Sequence, residues 1–258
     1  MTHFESRPSA PPPKTAWRMR KALVLLLSCA AGAVDAASYI GLGHVFAANM
    51  TGNTVHLGMA TGYASLVDIG HSGSALLGFL LGVAAGASIV ERDDSPAPWP
   101  RAVNVALVGE LILLAIIAVI WAATGARTPL ATDALLLALG VAMGGQSVTV
   151  RRLRIPGVAS TYLTGTLTAL TAGLIRVALG RRTPAPEAPT HGAGLMASVW
   201  TIYFAGAVIT ALVSPNGGAG ALVLPLALIA IVLVAADRDA TWLRPVASRL
   251  EAPRRSGA

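Results

Sequence analysis

The chain alternates between long apolar runs and short polar connections. Six runs of about 20 residues carry almost no charge. They cover residues 22–43, 72–90, 102–124, 131–150, 192–213 and 218–236. Because a helix of about 20 apolar residues spans the roughly 30 Å hydrocarbon core of a bilayer, the pattern predicts an all-α polytopic integral membrane protein with six to eight membrane helices.

Two less apolar stretches, residues 44–67 and 155–179, each contain a Thr-Gly motif. The first reads Met50-Thr51-Gly52-Asn53-Thr54 and the second Leu163-Thr164-Gly165-Thr166. A polar position in the preceding run comes before each motif at nearly the same spacing, Asp35 before the first and Ser147 before the second. Two matching features in the same order predict an internal repeat, with one membrane repeat over residues 22–123 and a second over residues 124–236.

The distribution of Lys and Arg bears on the orientation of these repeats. If the Thr-Gly segments enter the membrane and return, the chain crosses six times, 18 of the 19 basic residues are cytoplasmic and only Arg127 is outside. If the segments cross, there are eight crossings and parallel repeats, with 14 basic residues in the cytoplasm and 5 outside. Cytoplasmic loops are enriched in Lys and Arg. The count favours six crossings and inverted repeats with re-entrant or broken Thr-Gly segments, and it leaves the eight-crossing alternative open.

Charge outside the runs is concentrated in the tails and short loops. Residues 1–21 are basic and Pro-rich, and residues 237–258 contain five arginines; both read as cytoplasmic tails, the first disordered. The net charge of +7 is not arranged as a basic stripe with interleaved aromatics, so we expect no nucleic-acid partner. The single cysteine, Cys29, and the absence of metal-type Cys/His spacing predict no disulfide, metal or cofactor.

Two acids lie inside apolar runs. At 1.5 Å per residue, Asp35 lies roughly 20 Å along the first run and Glu110 roughly 12 Å along the third. An acid at the centre of a membrane helix costs about 2.5–3.5 kcal/mol on insertion scales. A functional interpretation is a proton or cation site, or a partner for a buried Arg. The alternative is a structural ion pair or a protonated, hydrogen-bonded acid.

The Thr-Gly motifs combine helix-capping residues with a residue that permits a break. Thr51, Asn53 and Thr54 suit helix starts, and Gly52 permits close approach. A helix that begins inside the membrane directs free N–H groups at a polar or anionic solute, and paired broken helices are typical of transporter sites. Thr164, Gly165 and Thr166 would begin the second of these helices. Gln146 and Ser147 would line the same cavity. The alternative is that all these residues serve helix packing or bonds between helices.

Four motifs together resemble those of the YoaK-like family of bacterial membrane proteins. They are residues 32–36 (Gly-Ala-Val-Asp-Ala), 50–55 (Met-Thr-Gly-Asn-Thr-Val), 144–152 and 161–168. The resemblance covers roughly residues 22–236 and implies a polytopic protein of the bacterial inner membrane with about six spans, but no particular activity. Ser147 departs from the Asn that the family usually has after Gln146, which preserves hydrogen bonding but not contacts specific to an amide.

The function predicted from these features is a small secondary transporter or channel for a small polar or anionic solute, with Asp35 or Glu110 coupling protons. The alternative is a non-transporting scaffold or sensor whose polar motifs pack helices. No Gly-x-Ser-x-Gly, His-Glu-x-x-His or Gly-x-x-x-x-Gly-Lys motif is present, so we do not predict an enzyme. The expected surroundings are the lipid bilayer, with both termini in the cytoplasm.

Overall fold

Helices make up nearly all of the part of the chain that the computed structural model describes, which is residues 14–95, 97–153, 155, 163–180 and 193–240. These residues form eight α-helices, one short 3-10 helix at Ala219–Leu222 and no strand. The α-helices are α1 (Lys14–Gly41), α2 (Met50–Gly62), α3 (Leu66–Val90), α4 (Arg101–Thr124), α5 (Pro129–Arg152), α6 (Leu163–Ala178), α7 (Ala193–Val213) and α8 (Val223–Ala240). Most of the two predicted tails lies outside the described residues.

Six helical segments are long and apolar enough to cross a membrane. They are α1, α3, α4, α5, α7 and the 3-10 helix together with α8. The prediction of an all-α polytopic membrane protein is therefore confirmed. Helix α2 has only 13 residues, which gives a length of about 20 Å at 1.5 Å per residue, too short for a hydrocarbon core of about 30 Å.

Local sequence explains where several helices begin and end. The Ser65 hydroxyl accepts the N–H of Asp68 and caps α3, so this helix begins well before the apolar run at residue 72. Thr128 caps α5 in the same way, with Pro129 in the first turn. Helix α4 ends at Gly125, which adopts the left-handed conformation with φ 62°.

Helices α3 and α5 touch backbone to backbone along a row of glycines. A Cβ atom on Gly78 would overlap the carbonyl oxygen of Leu137, and one on Gly82 would overlap that of Val141. Glycines at three further positions leave similarly little space: Gly86, Gly140 and Gly144. Small residues permit such close approach in membrane helices. Because the contact positions advance together along both helices, α3 and α5 run parallel.

Helices α1 and α7 form a second parallel pair of the same kind. A Cβ on Gly32 would overlap the carbonyl oxygen of Tyr203, and one on Gly206 would overlap that of Cys29. Further along, just beyond α7, Gly217 lies against Gly41 at the end of α1. The interior is therefore built from two pairs of parallel helices in close contact at glycines, α3 with α5 and α1 with α7. Helices α4 and α8 pack beside these pairs.

Contacts at the two ends of the bundle fix the helix directions. Arg20, near the start of α1, donates to the carbonyl oxygen of Leu153, just after α5. Helix α1 therefore starts where α5 ends, and the two run antiparallel. At the opposite end, Gly41 lies against the ring of Trp121, near the end of α4. We refer to these as the Leu153 end and the Gly41 end.

The Leu153 end is held by a polar network around Arg152. Its guanidinium donates to the carbonyl oxygens of Val90 at 3.3 Å, Asp93 at 2.6 Å and Ser95 at 3.2 Å. The Asp93 carboxylate accepts the amides of Ala102 and Ser95, and these hydrogen bonds lower its pKa. Arg152 thus ties the end of α5 to the connection between α3 and α4.

Candidate functional site

The first Thr-Gly segment enters the bundle and returns on the same side. A Cβ on Gly43 would press on the ring of His71 in the second turn of α3, so the chain leaves α1 and enters α3 at the Gly41 end. Between them, the N–H of Ala48 donates to the Asp35 carboxylate at 2.6 Å. Asp35 lies less than two turns before the end of α1, a depth of about 9 Å. The chain between α1 and α3 thus leaves and rejoins the spans at the Gly41 end, with α2 beginning beside Asp35, and we call it the re-entrant segment.

Asn53 holds this re-entrant segment through both functional groups of its side chain. Its Oδ1 accepts the N–H of Phe46 at 2.9 Å, and its Nδ2 donates to the carbonyl oxygen of Phe46 at 2.6 Å. The Asn53 side chain is fully buried. The side-chain amide therefore pairs with the backbone of residue 46 in the way that a neighbouring strand would. It forms hydrogen bonds with the N–H and the carbonyl oxygen of that residue, which lipid could not do.

The other residues of the motif divide between the interior and the exposed face. Gly52 leaves room for Phe46, whose ring carbons would lie 3.1 Å from a Cβ, and its N–H is accepted by the Asn49 side chain at 3.3 Å. Thr51 and Thr54 are exposed, and the Thr54 hydroxyl donates to the Met50 carbonyl oxygen of its own helix.

Asp35 connects three elements. Its second carboxylate oxygen accepts the hydroxyl of Tyr203 on α7, while the first accepts the N–H of Ala48. Asp35 is 3% exposed, and no ion pair within the described residues involves it. We call Asp35, Tyr203, Asn53 and the backbone of residues 46–49 the Asp35 cluster. Sequence reasoning missed Tyr203, whose only signal was a hydroxyl inside an apolar run.

Glu110 and Gln146 form a second buried polar contact, between α4 and α5. The Gln146 Nε2 donates to the Glu110 Oε1 at 2.8 Å, and the other carboxylate oxygen, Oε2, has no hydrogen-bond partner among the described residues. Ser147 does not join them, since its hydroxyl donates to the Met143 carbonyl oxygen of its own helix. We call Glu110 and Gln146 the Glu110 pair.

The predicted site residues therefore fall into two groups. Asp35 and Asn53 meet at the re-entrant segment, whereas Gln146 is paired with Glu110. Of the second motif, Thr164, Gly165 and Thr166 lie in the first turn of α6, and their side chains lie outside the described part of the structure.

One further polar contact, at the Gly41 end, was not predicted. His71 Nδ1 lies 2.6 Å from Asp133 Oδ1, which joins the second turns of α3 and α5. The same ring packs against Gly43, which has φ 77° and admits no Cβ there. This contact supports the point at which the chain turns into the re-entrant segment.

Comparisons with known proteins give a family but no assigned activity. The family model described as "Protein of unknown function (DUF1275)" matches residues 23–235. The chain is 36% identical over 204 residues to the UPF0700 transmembrane protein YoaK of Bacillus subtilis (strain 168), which covers 78% of this chain and 87% of that protein. No solved structure matches the chain.

Proposed function

This chain belongs to the DUF1275 family of proteins of unknown function, and from its geometry we propose that it is a small secondary transporter for a small polar or anionic solute, coupled to protons. The observation that carries the proposal is a helix, α2, that begins within the bundle beside the buried Asp35. The start of a helix carries a partial positive charge, which attracts polar and anionic groups. Broken helices of this kind form the solute sites of many secondary transporters.

The packing of the helices supports a repeat that relates residues 22–123 to residues 124–236. Gly32 of α1 approaches the carbonyl of Tyr203 in α7, and Gly144 of α5 approaches that of Phe79 in α3. The two contacts correspond when α1 is matched to α5 and α7 to α3. The same register also relates a second pair of contacts, that of Gly206 with Cys29 and that of Gly82 with Val141. Because α1 and α5 run antiparallel, we propose inverted repeats, an architecture common among secondary transporters.

The positions of the basic residues support an orientation. In the described spans and their connections, Arg127 is the only Lys or Arg at the Gly41 end. The Leu153 end carries Lys14, Arg18, Arg20, Lys21, Arg92, Arg101, Arg151 and Arg152. By the positive-inside rule we assign the Leu153 end, and with it both termini, to the cytoplasm of a bacterial inner membrane.

Asp35 is suited to couple proton binding to the re-entrant segment. The ionised carboxylate accepts hydrogen bonds from Ala48 and Tyr203. A proton on Asp35 removes the charge that strengthens these hydrogen bonds, and so weakens the hold of Asp35 on the backbone at Ala48. The amides of this segment then become available to a polar or anionic solute, so that solute and proton bind together.

The alternative function, a non-transporting scaffold or sensor, also has an observation in its favour. The side chains of Asp35 and Asn53 are satisfied by groups of the chain itself. A purely structural role for the Thr-Gly motif would require this arrangement and no solute. The two functions differ in whether Asp35 is needed for solute movement or only for stability.

Proton-driven uptake in proteoliposomes tests the transporter. The purified full-length chain is reconstituted, a pH gradient is imposed, and a panel of small carboxylates, amino acids and polar metabolites is offered while an internal dye reports proton entry. We expect at least one solute to be accumulated with protons. Asp35→Asn should reduce proton-driven uptake to the level of empty liposomes.

The matched control is Asp68→Asn, which removes an exposed acid from the same end of the bundle and should leave uptake unchanged. Thermal stability in detergent provides a second test, since a ligand that binds only the folded state stabilises it by about RT ln(1 + [L]/Kd). If no solute in the panel is moved or raises the melting temperature, and Asp35→Asn only lowers stability, the scaffold or sensor replaces the transporter.

A further inference from the structure

The Glu110 pair contains a buried carboxylate oxygen that the rest of the described chain leaves open. Glu110 is 5% exposed and Gln146 is 2% exposed. The Gln146 amide donates to Oε1 of Glu110, while Oε2 is buried without a hydrogen-bond partner among the described residues. A buried polar atom without a partner costs roughly 1–3 kcal/mol, and more when it carries charge. The geometry therefore points to something that binds at Oε2.

Within the described part of the chain, no Lys, Arg or His forms an ion pair with Glu110. On α5, Arg152 is engaged by carbonyl oxygens at the Leu153 end and Arg151 is exposed. On α3, Asp68 and His71 lie at the Gly41 end. The 3-10 helix and α8, up to Asp237 near its end, carry no charged residue. An isolated ionised carboxylate in such a place is costly, and a bound proton removes that cost.

The position of the pair relates it to Asp35. Gln146 directly precedes Ser147, which takes the place of Asp35 when α5 is matched to α1 in the proposed second repeat. Glu110 lies about 14 Å from the Leu153 end along α4, whereas Asp35 lies about 9 Å from the Gly41 end along α1. Each half of the bundle thus contains one buried acid. Both acids belong to the first repeat, and Glu110 is held by Gln146 of the second repeat.

We propose that Glu110 is a second proton-binding site, positioned by Gln146, and that it and Asp35 are the two acids of one proton path across the bundle. The proton binds at Oε2, while Oε1 continues to accept the Gln146 amide and fixes the orientation of the carboxyl group. The role in a path rests on the proposed transport function, but proton binding by Glu110 does not.

Carbodiimide labelling tests proton binding without any solute. Dicyclohexylcarbodiimide is apolar and reacts with protonated carboxyl groups in membranes. The full-length chain in liposomes is treated over a range from alkaline to mildly acidic pH, and the modified peptides are measured by mass spectrometry. We expect modification of Glu110 that increases as the pH falls, and its loss in Glu110→Gln. An infrared carboxyl band that is present in the wild type and missing in Glu110→Gln confirms the protonated acid independently.

Variants and added sodium distinguish proton binding by Glu110 from a purely structural role and from binding of a metal cation. Asp35→Asn should leave the labelling of Glu110 intact, and Gln146→Leu should shift the pH of half-labelling, which a loss of packing alone would not do. Protection of Glu110 by sodium at constant pH would replace the proton with a metal cation and overturn the proposal. The absence of both labelling and the infrared band at every pH would also overturn it.

The role in a path is tested by separating exchange from proton-driven uptake. With a transported solute, Glu110→Gln should retain exchange of labelled for unlabelled solute but lose accumulation driven by a pH gradient. If Glu110 is labelled in a pH-dependent manner but no solute moves, the proton site stands and the transport function fails. If accumulation in Glu110→Gln equals that of the wild type, Glu110 lies outside the path.

Discussion

Replacing Asn53 by leucine removes the amide that pairs with Phe46 and introduces an apolar side chain of similar size. The N–H and carbonyl oxygen of Phe46 then lose partners at 2.9 Å and 2.6 Å in a site with no access to water from the Asn53 side. Each buried backbone group left unpaired costs about 1–3 kcal/mol. The expected loss for the two groups is therefore about 2–6 kcal/mol, concentrated in the re-entrant segment.

The assay is thermal unfolding of the purified protein in detergent, together with amide hydrogen exchange of residues 43–50. A loss of about 1 kcal/mol lowers the melting temperature by roughly 2–4 °C in chains of this size. Asn53→Leu should therefore lower it by at least about 4 °C, and exchange should accelerate first in the re-entrant segment. Asn53→Asp should behave similarly, because a carboxylate oxygen would face the carbonyl oxygen of Phe46.

Thr54→Val is the matched control within the same motif. Threonine and valine side chains have the same shape. Thr54 is exposed, and its hydroxyl donates to a carbonyl oxygen of its own helix. The melting temperature and the exchange of residues 43–50 should therefore stay near the wild-type values. If Asn53→Leu matches Thr54→Val in both measurements, then Asn53 does not hold the re-entrant segment.

Three further changes probe the packing, the Leu153 end and the orientation. Gly82→Ala should cost about 1–3 kcal/mol of folding free energy, because its Cβ meets a carbonyl oxygen of α5, while Gly73→Ala on the open face of α3 should be neutral or stabilising in the same unfolding assay. Two backbone amides lower the pKa of Asp93 in the folded state. The stabilisation from Asp93 is therefore present above its unfolded pKa and is lost as the pH falls through its folded pKa. In Asp93→Asn, the stability of the protein should depend less on pH in this acidic range. In a cysteine-free background, Tyr63→Cys should react with an impermeant thiol reagent in intact cells and Asp94→Cys only after permeabilisation, and the reverse pattern would invert the proposed orientation.

The sequence was sufficient to predict the spans because hydrocarbon thickness sets a length that apolar runs reveal directly. It was less informative about the helix boundaries. The first run begins at residue 22, but α1 begins at Lys14, since the basic residues before the run are compatible with a helix. Likewise, α3 begins at Leu66 because of its Ser65 cap, not because of hydrophobicity.

The candidate site was only partly predictable. Asp35 and Glu110 stood out because an acid inside an apolar run is costly, and both are buried. The partner of Asn53 could not be predicted, because Phe46 offers only backbone groups, which look the same at every position of a sequence. Tyr203 was missed because its contact with Asp35 depends on the packing of α1 against α7, which brings together two positions far apart in the chain.

The re-entrant segment is held by two side chains that differ in one physical respect. The amide of Asn53 does not titrate, so its hold on Phe46 is the same at every pH. The carboxyl of Asp35 does titrate, and a hydrogen bond to a charged group contributes about 1.5–3 kcal/mol against about 0.5–1.5 kcal/mol for a neutral one. The difference of about 1–2 kcal/mol corresponds to a factor of roughly 5–30 in the population of the held segment.

A change of this size is enough to regulate a local opening but too small to unfold the bundle. This is the physical reason for assigning Asn53 to structure and Asp35 to coupling. It also predicts a difference between their variants. Asp35→Asn should resemble the protonated acid, with a segment that opens more often at a nearly unchanged melting temperature. Asn53→Leu should open the same segment more strongly and also lower the melting temperature. Equal losses of stability in the two variants would mean that both residues are structural.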